Sequence, residues 1–189
     1  MKKYVALAAL AACVPGVAYA QDKTDSKVSG VRLEARVGYE TPTISGGGSI
    51  YKIGSAVSYG GEIGFDLRAK NVVVGPYAVY EFSSVSLCDS GGCLKENGNL
   101  GAGGRIGFVV GDKVVIYAKA GYARISFNAS SGGASADDSK DGVQGALGID
   151  VNLNRNVYVM VEGNYADYGK YYGVNLQRRH LAAGVGVRF

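Results

Sequence analysis

Between Gly30 and Phe189 apolar side chains recur at every second position almost throughout, and no stretch carries a convincing 3.6-residue stripe. Strand side chains alternate between two faces, so this pattern predicts an all-β chain. The first segment sets Val31, Leu33, Ala35, Val37 and Tyr39 on one face. Val57 to Leu67 and Val72 to Phe82 repeat the scheme, followed by Leu100 to Val110 and Val114 to Tyr122. Val143 to Leu153, Val157 to Tyr165 and Leu181 to Phe189 complete eight segments, an even number that suits closure of an antiparallel barrel.

The connections alternate in length. Residues 69–71, 111–113 and 154–156 are tight turns, whereas 41–56, 83–98, 128–141 and 167–173 are longer and rich in Gly, Ser and Asp. Transmembrane barrels show short periplasmic turns and longer outer loops, and strands of about 9–11 tilted residues cross a bilayer. Tyr39, Tyr59, Tyr80, Phe82, Tyr122 and Tyr165 fall at the long-loop end of the apolar face, and Phe65, Phe108 and Phe189 toward the short turns. Two such girdles mark the headgroup levels of a membrane. The expected fold is an eight-stranded antiparallel transmembrane β-barrel with short periplasmic turns and longer outer loops.

The opposite face carries Arg32, Glu34, Arg36, Glu62, Asp66, Glu81, Arg105, Lys119, Asp150, Glu162 and Arg188. An eight-stranded barrel is just wide enough for side chains to fill it, and unpaired buried charge is strongly destabilising, so these groups should pair across the lumen. Glu34, Arg36, Glu62, Arg105, Lys119 and Glu162 are expected near mid-height as one network. Such a lumen is plugged; the alternative is a narrow passive channel gated by exchange of ion-pair partners.

Lys2 and Lys3, an apolar run to Val14 and Ala18-Tyr19-Ala20 form a cleavable secretory signal over residues 1–20. Leu10-Ala11-Ala12-Cys13 offers a second reading, a lipoprotein box in which Cys13 is lipidated. Residues 21–29 then form a short linker and 30–189 the barrel domain. The formal charge of +4 falls to +2 once Lys2 and Lys3 leave, which makes no case for nucleic acid. Cys88 and Cys93 remain as an even pair in an oxidising compartment, where a disulfide is the natural reading and free thiols or a metal half-site the alternative.

Catalytic signals are weak, and no cofactor or metal is expected. The single histidine, His180, falls on the inward face near the outer rim. Gly101-Ala-Gly103-Gly104-Arg-Ile-Gly107 lacks the spacing and the following helix of a dinucleotide loop. Asp137, Asp138 and Asp141 fit a solvated loop better than a calcium site. Lys52, Arg124, Lys170, Arg178 and Arg179 lie toward the outer rim, in reach of lipopolysaccharide phosphates or simply of solvent.

The closing strand, Leu181-Ala-Ala-Gly-Val-Gly-Val-Arg-Phe189, and Tyr-Ala-Lys-Ala-Gly-Tyr-Ala at 117–123 resemble the small OmpA-like and opacity-type outer-membrane barrels of Gram-negative bacteria. The resemblance spans residues 30–189. It implies that Phe189, with Val187 and Val185, forms the signal read by the barrel-assembly machinery. It further implies an outer-membrane location, contact with lipid and lipopolysaccharide, and a structural or adhesive role through the outer loops. No peptidoglycan-binding domain is expected after the barrel segments, so the resemblance does not extend to tethering the wall. A monomer is favoured.

Overall fold

A computed structural model describes residues 28–46, 49–52, 54–89, 92–111, 113–131, 134–171 and 174–189. The expected signal segment 1–20, Cys13 and residues 21–27 lie outside the described residues. The structure contains eight long strands, β1 (Gly30–Gly46), β3 (Ala56–Ala69), β4 (Val72–Ser83), β6 (Gly92–Val110), β7 (Val114–Ser131), β8 (Ala134–Asn152), β9 (Val157–Tyr171) and β10 (Val174–Arg188). Two short strands, β2 (Ser49–Lys52) and β5 (Ser86–Asp89), hang on the outer ends of β1 and β6.

The eight long strands pair antiparallel with their sequence neighbours, and β10 pairs with β1 to close the barrel. Closure is tight at the short-turn end: the Phe189 amide donates to the Val31 carbonyl at 3.0 Å. Gly30, at φ +122°, is required there, because a Cβ on it would lie 1.9 Å from the Phe189 carbonyl oxygen. Val28 is fully buried and the Ser29 hydroxyl accepts from the Arg68 amide at 3.2 Å, so these two residues pack with the barrel. The turn after β8 is built by Asn154, whose Oδ1 accepts from the amides of Asn156 and Val157 at 2.9 and 2.8 Å.

The outward face is a belt of exposed Val, Leu, Ile, Phe and Tyr, among them Ile63, Ile106, Leu147 and Val161. Every charged residue expected inside is buried, from Arg32 to Arg188. Such inversion of a soluble protein's pattern is the solution for a barrel surrounded by lipid, where backbone groups are satisfied by the closed ladder.

The outer connections depart from the expected loops. Residues expected in loops at 83–98 and 128–141 are largely strand: β5 pairs with β6, and β6, β7 and β8 continue their ladder to Cys93–Ser130 and Ser131–Ala134. The pairing of β4 with β6 stops at Glu81–Asn99, and that of β8 with β9 at Val143–Asp167. A sheet of β5, β6, β7 and β8 therefore rises above the barrel. Its outer edge, β8 from Ala134 to Asp141, pairs with β7 on one side and has no strand partner on the other among the described residues.

Candidate functional site: a sealed polar lumen beneath a protruding sheet

Three groups of side chains fill the lumen. Nearest the short turns, Asp150 receives Arg105 and Arg188, each at 2.5 Å, and Asp66 lies within 3.5–3.7 Å of Arg32, Arg105 and Arg188. The guanidinium groups of Arg105 and Arg188 also cover the rings of Tyr117 and Tyr158, 3.9 and 4.1 Å from the centroids. Above them, Arg36 and Lys119 both bridge Glu62 and Glu162, at 2.6–2.8 Å. Glu34 joins through Arg32 at 3.4 Å, Arg36 at 3.6 Å and the Tyr158 hydroxyl at 3.0 Å.

Five of the six residues expected at mid-height therefore meet directly, and Arg105 does not meet them. Arg105 and Lys119 are register partners on adjacent strands and face the same way. Like charges at that spacing repel, and Arg105 turns toward Asp150 while Lys119 turns toward Glu62 and Glu162. Arg32 links the two groups by reaching Glu62 at 2.9 Å.

The third group, near the outer end, contains residues that the sequence reading left out. Arg178 binds Glu40 and, at 2.9 Å, Glu81. Glu81 also receives Arg36 at 3.0 Å, and the Ser83 hydroxyl donates to Glu40. Arg178 was expected toward the outer rim, in reach of lipopolysaccharide phosphates or of solvent; it is buried, because it shares parity with His180, Ala182 and Gly184. The parity of Glu40 and Arg178 was readable had the first and last strands been extended past Tyr39 and Leu181.

His180 also sits here. The Ser58 hydroxyl is 2.8 Å from His180 Nε2, and His180 Nδ1 is 3.6 Å from Glu81 Oε2. A serine, a histidine and an acid in this order resemble a hydrolytic arrangement, yet Ser58 is 1% and His180 4% exposed, so no substrate reaches them. They belong to the packed lumen.

Apolar plugs cover the polar filling at both ends. Val28, Val73, Val109 and Val115 form a buried cluster at the short-turn end. Ala123, Ile125, Phe127, Ala166, Tyr168 and Leu176 form another at the outer end, where the inward face changes from charged to apolar. Glu96 is buried in the outer region, with Glu40, Glu81, Arg178 and Ser83 around its carboxylate. Burial, with the nearby Glu40 carboxylate adding to it, pushes its pKa from the usual 4.5 up to about 8.

On the protruding sheet the acids pair across strands. Asp137 accepts from Asn128 Nδ2 at 2.8 Å, and Asp141 accepts from the Tyr122 hydroxyl at 2.5 Å with Arg124 3.6 Å away. Lys52, Arg124, Lys170 and Arg179 are exposed. The backbones of Cys88 and Cys93 lie directly opposite each other in the β5–β6 hairpin.

This geometry has close structural relatives. Ail, the attachment invasion locus protein of Yersinia pestis, solved with the heparin analogue sucrose octasulfate, superposes with a TM-score of 0.59 at 17% identity, covering 85% of this chain and 99% of Ail. Neisserial surface protein A superposes with a TM-score of 0.60 at 18% identity, covering 83% of this chain and 97% of that one. No curated protein sequence matches. At the level of sequence, residues 5–189 match the model of the outer membrane protein beta-barrel domain, and the chain belongs to that family of outer-membrane barrels.

Proposed function

We propose that the protein is a surface-interaction barrel that binds its partner through the β5–β8 sheet and does not conduct through its lumen. The observation that carries this reading is the contrast between a lumen filled with ion pairs and plugged at both ends, and an ordered sheet with an unpaired edge held above the membrane. A free strand edge offers backbone donors and acceptors to an extended partner, and the side chains flanking it supply selectivity. A heparin-like sulfated glycan, the class of the analogue bound to Ail, is a second chemistry to test against exposed Lys95 and Arg124 and half-buried Lys140.

Supporting assignments follow from the same reading. Residues 1–20 direct export, with cleavage after Ala20 and residues 21–29 leading into the barrel. Cys88 and Cys93 close the β5–β6 hairpin as a disulfide, checked by thiol labelling before and after reduction. Phe189, with Val187 and Val185, addresses the chain to the assembly machinery; normal insertion after deletion of Phe189 would count against this.

The deciding experiment compares adhesion of cells displaying the barrel to heparin-coated and protein-coated surfaces. Ser135→Pro, which removes a backbone donor from the free edge of β8, should reduce binding to an extended protein partner at least fivefold while folded barrels accumulate normally. Unchanged adhesion to every surface would overturn the reading. In planar bilayers, the protein and Arg105→Ala should both lack steady conductance, since the apolar plugs remain in place.

A further inference from the structure

The ladder itself assigns which backbone groups stand on the free side of β8. The Asn152 amide donates to the Lys113 carbonyl at 2.7 Å, and the β7–β8 register runs from Val114–Val151 to Ser131–Ala134 without a shift. Even-numbered residues of β8 therefore bond to β7, and odd-numbered residues turn their amides and carbonyls the other way. Nearer the membrane those groups meet β9. Beyond the Val143–Asp167 pair, Ser135, Asp137, Ser139 and Asp141 present them with no strand opposite among the described residues. Residues 135–138 are all exposed, so both faces of this edge are open.

Charge decides what the edge accepts. Residues 134–141 carry Asp137, Asp138 and Asp141 against Lys140 alone. Asp137 and Asp141 lie on one face, beside Asn128 at 2.8 Å and Arg124 at 3.6 Å; Asp138 lies on the other and accepts from the Ser139 amide at 2.8 Å. One outward donor is thus closed by a carboxylate of the edge itself. A neutral strand has to displace that carboxylate to reach the Ser139 amide, whereas a strand with a cation opposite Asp138 attracts it.

A second copy of the chain is a poor occupant. Two β8 edges would pair about a two-fold axis with odd residues opposite odd, because those carry the free groups. Centred on residue 137, 138 or 139, such a pair sets Asp137 against Asp137, Asp138 against Asp138, or Asp137 against Asp141, and like charges directly opposite destabilise a ladder.

We propose that the outer edge of β8 docks an extended segment of a basic protein, which joins the β5–β8 sheet as a further strand and sets Lys or Arg opposite Asp137, Asp138 and Asp141. The assignment deepens the surface-interaction reading above and rests on it. It asks the partner for two adjacent cations and a third three residues beyond them, in whichever direction the segment runs. A sulfated glycan has neither the backbone nor the charge for this edge.

The test measures binding of synthetic peptides to folded barrels in neutral detergent by fluorescence anisotropy. The probes are a Thr-rich peptide carrying Arg at the spacing just given, the same peptide with Glu for Arg, and the Arg peptide N-methylated at the amides that would face β8. The Arg peptide should bind about tenfold more tightly than the Glu peptide, the scale of three exposed cross-strand charge pairs. N-methylation should remove that binding, and Asp137→Asn together with Asp138→Asn should cut the preference to less than about threefold. On binding, amide exchange should slow at Asp137 and Asp141 and stay unchanged at Asp138 and Lys140, whose amides face β7. Heat-modifiable gel mobility confirms folding, and the exchange measurement on the unsubstituted protein carries the test if the double variant does not fold. Equal binding of the Arg and Glu peptides, undiminished binding after N-methylation, or slowed exchange confined to other strands would each overturn the assignment. Equal peptide binding alongside adhesion that Ser135→Pro still reduces would remove the basic partner and leave the surface reading in place.

Discussion

In the membrane belt the ladder turns Ile63, Ile106 and Val161 outward and holds Arg36, Lys119 and Glu162 inside. Above the Tyr122 level the same strands do the reverse. Ala123, Ile125 and Phe127 of β7 are buried, while Arg124 and Ser126 point into water and pair across to Asp141 and Ser139. One continuous β7 thus changes which parity is apolar without changing its pleat. The difference shows that the surroundings, and not the strand, decide where oil belongs, and that the residue at which parity changes marks where the chain leaves the bilayer.

The strongest test of the contrast is Arg36→Ala. Removing a cation held by Glu62, Glu81 and Glu162 leaves buried carboxylates without their partner, and should cost about 3–5 kcal/mol in urea unfolding from vesicles. Ile63→Arg places charge on the lipid face between the two girdles and should cost about 2–4 kcal/mol in the same assay. A loss much smaller than this would mean that the belt does not face hydrocarbon.

The extension should instead respond to pH. Glu96 is raised to about 8 from 4.5, so the folded state holds its proton more tightly than the unfolded one. Its contribution is complete below about pH 4.5 and is lost as pH climbs to about 8, with Glu40, Glu81 and Arg178 as the charged neighbours that set the range. Glu96→Gln should stabilise the outer half by on the order of 1–3 kcal/mol at pH 9 and flatten the pH dependence of amide exchange at Ile125 and Phe127. The smallest effect is expected from Ser126→Arg, on the wet face of the extension, which should shift stability by no more than about 0.5 kcal/mol.

Much of the belt was legible because lipid outside and charge inside impose the same alternation on all eight strands. Val31 to Tyr39 and Leu181 to Phe189 were placed on the right face, and the expected closure brings them together as β1 and β10. The extension was not legible by the same rule, since its parity inverts at Ala123 and residues 134–141, wet on both sides, carry no apolar alternation at all. Glu40 and Glu96 were missed, and Arg178 was placed at the rim and not in the lumen, because each strand was ended where its lipid-facing pattern stopped. The height of Arg105 was misjudged for a different reason: a long guanidinium arm, repelled by Lys119, settles a full group away from its own Cα level.

The bond between Phe189 and Val31 has a kinetic meaning as well. The first and last strands meet at the maximum sequence separation the barrel offers, so the contact that removes the final two open edges is the one with the largest loop-closure entropy. Until β1 and β10 pair, both are templates for pairing with other chains. The seam therefore works as a clock: the barrel cannot commit to its closed form before β10 has formed beside β1, so the arrival of that strand sets when closure occurs.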